Sequence, residues 1–262
     1  MAAATPSMES GCVSSATGDL FVFGYGSLIF RQNFPFLAWR RAYVKGYRRA
    51  FYQGSTDHRG VPGAPGRVVT LVSDAQACTY GLVFRVAAEH RDSVVASLDV
   101  REQGGYDRLV LPCYFHGGNG DECPVLSAGA EAEGSGSLLG ALCYIATHSN
   151  AEFLCPADDD TIGRQAAGAV GPSGPNAEYV LNLDRCLRAL MFPDVHAEGV
   201  ARATARHLAV TEGDPPWLER WKAASGGAGN LIRPHRTSGV DDVQLASVLG
   251  NHLDHTMCDA WS

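Results

Sequence analysis

The chain has 262 residues, 45% apolar and 19% charged, a balance that gives a globular protein with a real core and excludes a wholly disordered chain. A net charge of −7 excludes the broad basic face of a nucleic-acid binder. No apolar run reaches the roughly 20 residues that span a bilayer, so no membrane partner is expected.

Residues 1–19 are rich in Ala, Ser and Thr, with no basic start and no continuous apolar stretch. They match neither a secretory signal nor an Arg-rich transit peptide, and are expected to form a disordered tail. Order begins with the apolar run 20–23, a strand that ends abruptly in glycine. Residues 42–53, dense in aromatic and basic side chains, read as a second strand. So do 67–72 and 80–86, which are rich in β-branched residues. Between them lies a polar loop, 54–66, carrying Asp57, His58 and Arg59. The basic clusters Arg40-Arg41 and Lys45–Arg49 are too small to grip a phosphate backbone.

At 87–100 the period changes to helical, with Val94, Val95 and Leu98 on one face and Glu89 in the first turn. Arg101-Glu102-Gln103-Gly104-Gly105-Tyr106 follows at once. Strands are expected at 108–115 and 139–147, separated by 116–137, a Gly, Ser, Ala and acid-rich flexible insertion. The remainder is helical. Residues 158–170 open on three aspartates, and 177–190 carry the stripe Tyr179, Leu183, Leu187 and Leu190, with Asn176 as the expected cap. A last helix runs from 193 to about 210, and 211–262 form a C-terminal extension. Strands first and helices last point to an α+β domain spanning 20–210, its helices around a curved or closed sheet. The eight cysteines are irregularly spaced, without Cys-x-x-Cys, which predicts reduced thiols in a cytoplasmic protein.

Two features could carry chemistry. In Phe23-Gly24-Tyr25-Gly26-Ser27-Leu28, alternate glycines free the backbone and let a ligand approach its N–H groups, which can hold an anion. A plain tight turn explains the same residues, and both readings stay open. The frame is neither a dinucleotide fingerprint nor a nucleophile elbow. Glu102 lies where a helix ends in a Gly-Gly-Tyr loop, so its side chain either enters a cleft or pairs at the surface with Arg101 or Arg108. The run from Gly171 to Tyr179 is a rigid turn into a helix, a structural feature with Tyr179 or Glu178 bordering any site. His252 and His255 have no partner motif, and no metal ligand set is expected.

Together the strings resemble the ChaC family of γ-glutamylcyclotransferases, its glutathione-specific branch. They are Val22 to Ile29, Gln53 to Gly63, Pro65 to Val72, Leu98 to Tyr106, and the Gly-Pro-Ser-Gly run into Glu178-Tyr179, in the family's order. The resemblance implies a small mixed β-barrel flanked by helices that needs no cofactor, and a monomer is expected. It implies cleavage of glutathione to 5-oxoproline and cysteinylglycine, with Glu102 as acid/base. The γ-glutamyl end would be held by Val22, Phe23, Gly24, Tyr25, Gly26, Ser27 and Leu28, with Tyr106. The chain departs from the family in its long insertion, in Cys155 where glycine is usual, and in Pro175 where a basic residue is usual. A cyclotransferase for other γ-glutamyl peptides or amines, or a silent binding protein on the same scaffold, are the alternatives.

Overall fold

The computed structural model describes residues 18–102, 104–115, 138–192 and 194–208. The expectations for the N-terminal tail up to residue 17, the insertion 116–137, the extension 211–262 and the pair His252/His255 lie outside the described residues.

Five strands close into a barrel in the order β1-β3-β2-β4-β5. β1 (Leu20–Gly24) is buried along its whole length, which is why its sequence is continuously apolar instead of alternating. β2 (Ala38–Ser55) and β3 (Gly66–Val86) form a long antiparallel hairpin. β1 joins β3, while β4 (Asp107–Phe115) joins β2 and also pairs with β5 (Leu138–Ile145), all antiparallel. A parallel pairing of Val22 with Leu142 closes the ring, so the barrel is mixed as expected. Phe23, Phe51, Leu82, Phe84 and Ile145 are among its fully buried side chains.

The two strands expected at 67–72 and 80–86 are one. The residues joining them are small or polar, with Ser73, Ala75 and Gln76 exposed, so they lack the apolar period of a strand, yet β2 pairs Tyr47 with Ser73 and Lys45 with Cys78 across a bulge. Gly46 takes φ +80° at that bulge, a value that favours glycine. Asp19, assigned by composition to the tail, belongs to the fold. It is buried, and it accepts from Arg85 Nε at 2.7 Å and from Ala88 N at 3.2 Å.

Helix α1 (Arg91–Arg101) follows a 3₁₀ turn, Ala88–His90, so Glu89 lies in that turn and not in the helix. Val94 and Leu98 are its buried residues, each worth about 1.5–3 kcal/mol, and they hold the helix whose end carries Glu102. α2 (Asp159–Gly168) is capped by Asp158, whose Oδ1 accepts from Thr161 N at 2.7 Å. α3 (Asn176–Ala189) buries the expected stripe, and α4 (Val195–Leu208) packs against α2 and α3. β6 (Val170–Gly171) and β7 (Gly174–Pro175) form a short hairpin before α3.

Asn176 is not the cap of α3. It is the first helical residue, fully buried, and bonds both backbone groups of Arg67: Oδ1 accepts from N at 2.7 Å and Nδ2 donates to O at 2.8 Å. A side chain that can donate and accept is suited to a cap or to such a bridge, and the sequence alone does not separate the two. Here it ties α3 to β3.

Candidate active site

The end of β1, the loop after β2, β3, the C-terminus of α1 and the start of α3 converge on a cavity of about 200 Å³. That is room for one small molecule. Phe23, Gly24, Tyr25, Gly26, Ser27, Leu28, Glu102 and Tyr106 all line it. Val22 does not. In a strand successive side chains point to opposite faces, and Val22 is fully buried between its partners Phe84 and Leu142.

Neither Gly24 nor Gly26 has a positive φ, and both positions lack the space for a side chain. A Cβ on Gly24 would lie 2.7 Å from Leu28 Cβ, and one on Gly26 would lie 2.9 Å from Val69 Cγ2 and 3.3 Å from the Tyr179 hydroxyl. The chain then turns through a 3₁₀ helix, Ser27–Ile29, whose first bonded amide is Ile29 N, donating to Gly26 O at 3.0 Å. The amides just before it lie at a helical N-terminus, where the helix supplies no acceptor and an anion can bind. Two contacts fix the loop from behind. Tyr25 Oη donates to Tyr144 O at 2.7 Å, and the buried Arg49 donates from Nε to Tyr25 O at 2.8 Å. Arg49 is in turn paired with Asp194.

Glu102 is the residue at which α1 ends, its N–H donating to Leu98 O at 2.8 Å. Its side chain is 18% exposed and enters the cavity. Both sequence readings of it are therefore partly right, because Arg101 Nε does sit 3.4 Å from Oε1. Burial lifts the Glu102 carboxyl above the ordinary glutamate range, and Arg101 and His58 oppose that rise. Beyond Glu102 the chain must turn away sharply. Gly105 does so at φ +81°, and Asn150 Nδ2 donates to Gly104 O at 2.8 Å and to Gly105 O at 2.6 Å. Gln53 Nε2 reaches Gly104 O at 3.3 Å.

Arg101 spans the site. Nη2 donates to Ser27 Oγ at 2.7 Å and Nη1 to Arg31 O at 2.9 Å, so one side chain ties the glycine loop to the end of α1. The tyrosines form the apolar walls. Burial pushes the phenols of Tyr25 and Tyr106 well up, and that of Tyr179 to about 12, keeping all three neutral. Tyr179 Oη accepts from Val69 N at 3.2 Å, and Tyr106 Oη donates to Val69 O at a long 3.4 Å. Tyr179 thus borders the site as expected. Glu178 does not line it and pairs with Arg59 Nη1 at 3.0 Å.

Several lining residues were not singled out as site residues by the sequence: Arg31, Asn33, Ser55, Asp57, His58, Arg59, Tyr144, Glu152 and Ser173. Asp57, His58 and Arg59 share one short string of the polar loop, and that clustering was the available clue. Asp57 Oδ1 sits 2.9 Å from His58 Nδ1 and accepts from Ser55 Oγ at 3.4 Å. Glu152 comes from a turn more than 90 positions away and pairs with Thr56. Among the described residues, no group of three or more His, Cys, Asp or Glu side chains is placed to hold a metal ion. No helix there is long and apolar enough to cross a membrane.

A sequence model of the ChaC family, described as ChaC-like protein, matches residues 20–205. The chain is 38% identical over 198 residues to γ-glutamylcyclotransferase 2-3 of Arabidopsis thaliana, covering 74% of this chain and 92% of that one. It is 36% identical over 211 residues to the mouse glutathione-specific γ-glutamylcyclotransferase 1, covering 78% and 87%. The fission yeast Schizosaccharomyces pombe enzyme named for glutathione-specific γ-glutamylcyclotransferase is 35% identical, covering 70% and 90%. Among solved structures, a yeast γ-glutamyl cyclotransferase specific to glutathione superposes with a TM-score of 0.65 at 26% identity, covering 74% of this chain and 99% of that one.

Proposed function

The chain belongs to the ChaC family, and from that premise we propose that it is a glutathione-specific γ-glutamylcyclotransferase with Glu102 as acid/base. The observation that carries the residue assignment is a desolvated carboxylate and a glycine loop lining one small cavity.

In this reaction the α-amine of the γ-glutamyl group attacks its own γ-carbonyl carbon. A C–N bond closes the five-membered ring, the amide bond to cysteine breaks, and 5-oxoproline and cysteinylglycine leave. Nucleophile and electrophile share a molecule, so orientation supplies much of the rate, with effective molarities of about 10⁵ M or more in well-aligned cases. Glu102 takes a proton from the α-ammonium and returns it to the departing nitrogen. An ordinary glutamate near pKa ~4.3 is a weak base for this, and burial lifts Glu102 in the direction the reaction needs. The amides at the start of the 3₁₀ turn hold the α-carboxylate or the developing oxyanion, where losing one donor costs about 3–4 kcal/mol of barrier.

No protein nucleophile is needed, which agrees with the thiols. Burial pushes Cys113 and Cys186 up to about 12 and Cys143 well above its ordinary value, so none is a thiolate at neutral pH. The described cysteines are free, which supports a reducing, cytoplasmic setting. No cofactor enters the balance. The full chain is tested by comparing glutathione with a γ-glutamyl dipeptide and a γ-glutamylamine. A clear preference in kcat/KM for glutathione supports the specificity, and equal or reversed preference overturns it.

A further inference from the structure

Three arginines and one histidine line the cavity, and all but Arg31 have side-chain partners there. Arg59 donates to Pro175 O and Glu178, His58 lies against Asp57, and Arg101 is shared among Ser27, Arg31 O and Glu102. Arg31 differs. Its backbone is clamped, with N donating to Ser27 O at 2.8 Å and O accepting from Arg101. Its guanidinium is exposed and makes no hydrogen bond or ion pair with the described residues. A guanidinium is always charged and carries five donors in a planar fork that matches a carboxylate.

Glutathione carries two carboxylates at opposite ends. The γ-glutamyl end must go in deep, because its ammonium has to reach the recessed Glu102. An extended tripeptide spans about 10 Å, so its glycine carboxylate then sits toward solvent. We infer that Arg31, held at the mouth with its donors unspent, binds the C-terminal glycine carboxylate and selects the tripeptide over shorter γ-glutamyl compounds. The inference rests on the cyclotransferase reading above. Lys45 and Arg48 of β2 stack on Tyr114 and Tyr52 and do not line the cavity, and Arg49 is spent on Tyr25 O, Tyr80 O and Asp194.

The test is steady-state kinetics of the full chain with glutathione and with its glycinamide, for the unaltered protein, Arg31→Gln and Arg31→Lys. An ion pair at an exposed rim is modest, so the unaltered protein should favour the acid over the amide by about three- to tenfold, chiefly in KM. Arg31→Gln should remove that preference by losing activity only on the acid, and Arg31→Lys should keep most of it. Equal losses on both substrates would place Arg31 on the γ-glutamyl end and overturn the inference, as would an unaltered preference in Arg31→Gln. Turnover of neither substrate by the unaltered protein would overturn the cyclotransferase reading itself.

Discussion

Arg101 Nη2 donates to Ser27 Oγ at 2.7 Å, so the arginine beside Glu102, the proposed acid/base, also helps to hold the glycine loop. The two halves of the site, from β1 and from α1, are thereby kept in one register. Catalysis of a ring closure depends on such alignment to within about 1 Å. Ser27→Ala should lower kcat/KM by about tenfold with little change in its pH profile. Arg101→Gln should cost more and also move the acid limb upward, because Arg101 is the strongest influence holding the Glu102 carboxyl down. A pH–rate profile of each variant checks this contrast.

Glu102→Gln should lower kcat by about 10²–10⁴-fold. The stability effect has the opposite sign. A carboxyl whose folded pKa is raised binds its proton more tightly when folded, so its ionised form is a cost at higher pH that vanishes as pH falls through the folded pKa. The variant should therefore melt no lower than the unaltered protein at neutral pH, with any gain lost in acid. Thermal melts across pH, beside activity, test both halves.

Asp57 raises the Glu102 carboxyl and His58 lowers it. Asp57→Asn should accordingly shift the acid limb of kcat/KM to lower pH, since ionised Glu102 then persists further into acid. An upward shift would show that Asp57 acts on the site in another way.

Gly26→Ala sets a methyl 2.9 Å from Val69 Cγ2 in a cavity wall also formed by Tyr179. Overpacking of that kind costs about 1–3 kcal/mol. Denaturant unfolding should show the loss, and activity should fall further than stability because the wall itself moves.

Cys155 takes φ +62°, a left-handed conformation that costs a residue with a Cβ about 1–2 kcal/mol. Cys155→Gly relieves the strain but adds freedom to the unfolded chain, for a net gain of about 0.5–1 kcal/mol, read by denaturant midpoint.

The barrel strands were legible because apolar runs and β-branched density survive in a single chain. The exception was the middle of β3, where polar, exposed residues pair only because β2 lies beside them. The glycine loop and Glu102 were legible as strings. Their meeting was not, because it depends on Val94 and Leu98 seating α1 and on Arg101 reaching Ser27 across 74 positions. Glu152 and Asn150 carried no signal at all, since a turn becomes part of a site only when the barrel brings it alongside β2. Asn176 misled for a physical reason, because one side chain serves a helix cap or a backbone bridge equally well.

The most direct test of the account is to incubate the full chain with glutathione and quantify both products beside Glu102→Gln. It predicts 5-oxoproline and cysteinylglycine in equal amounts from the unaltered protein and a loss of at least about a hundredfold in the variant. Release of free glutamate in place of 5-oxoproline, or near-normal turnover by Glu102→Gln, would contradict it.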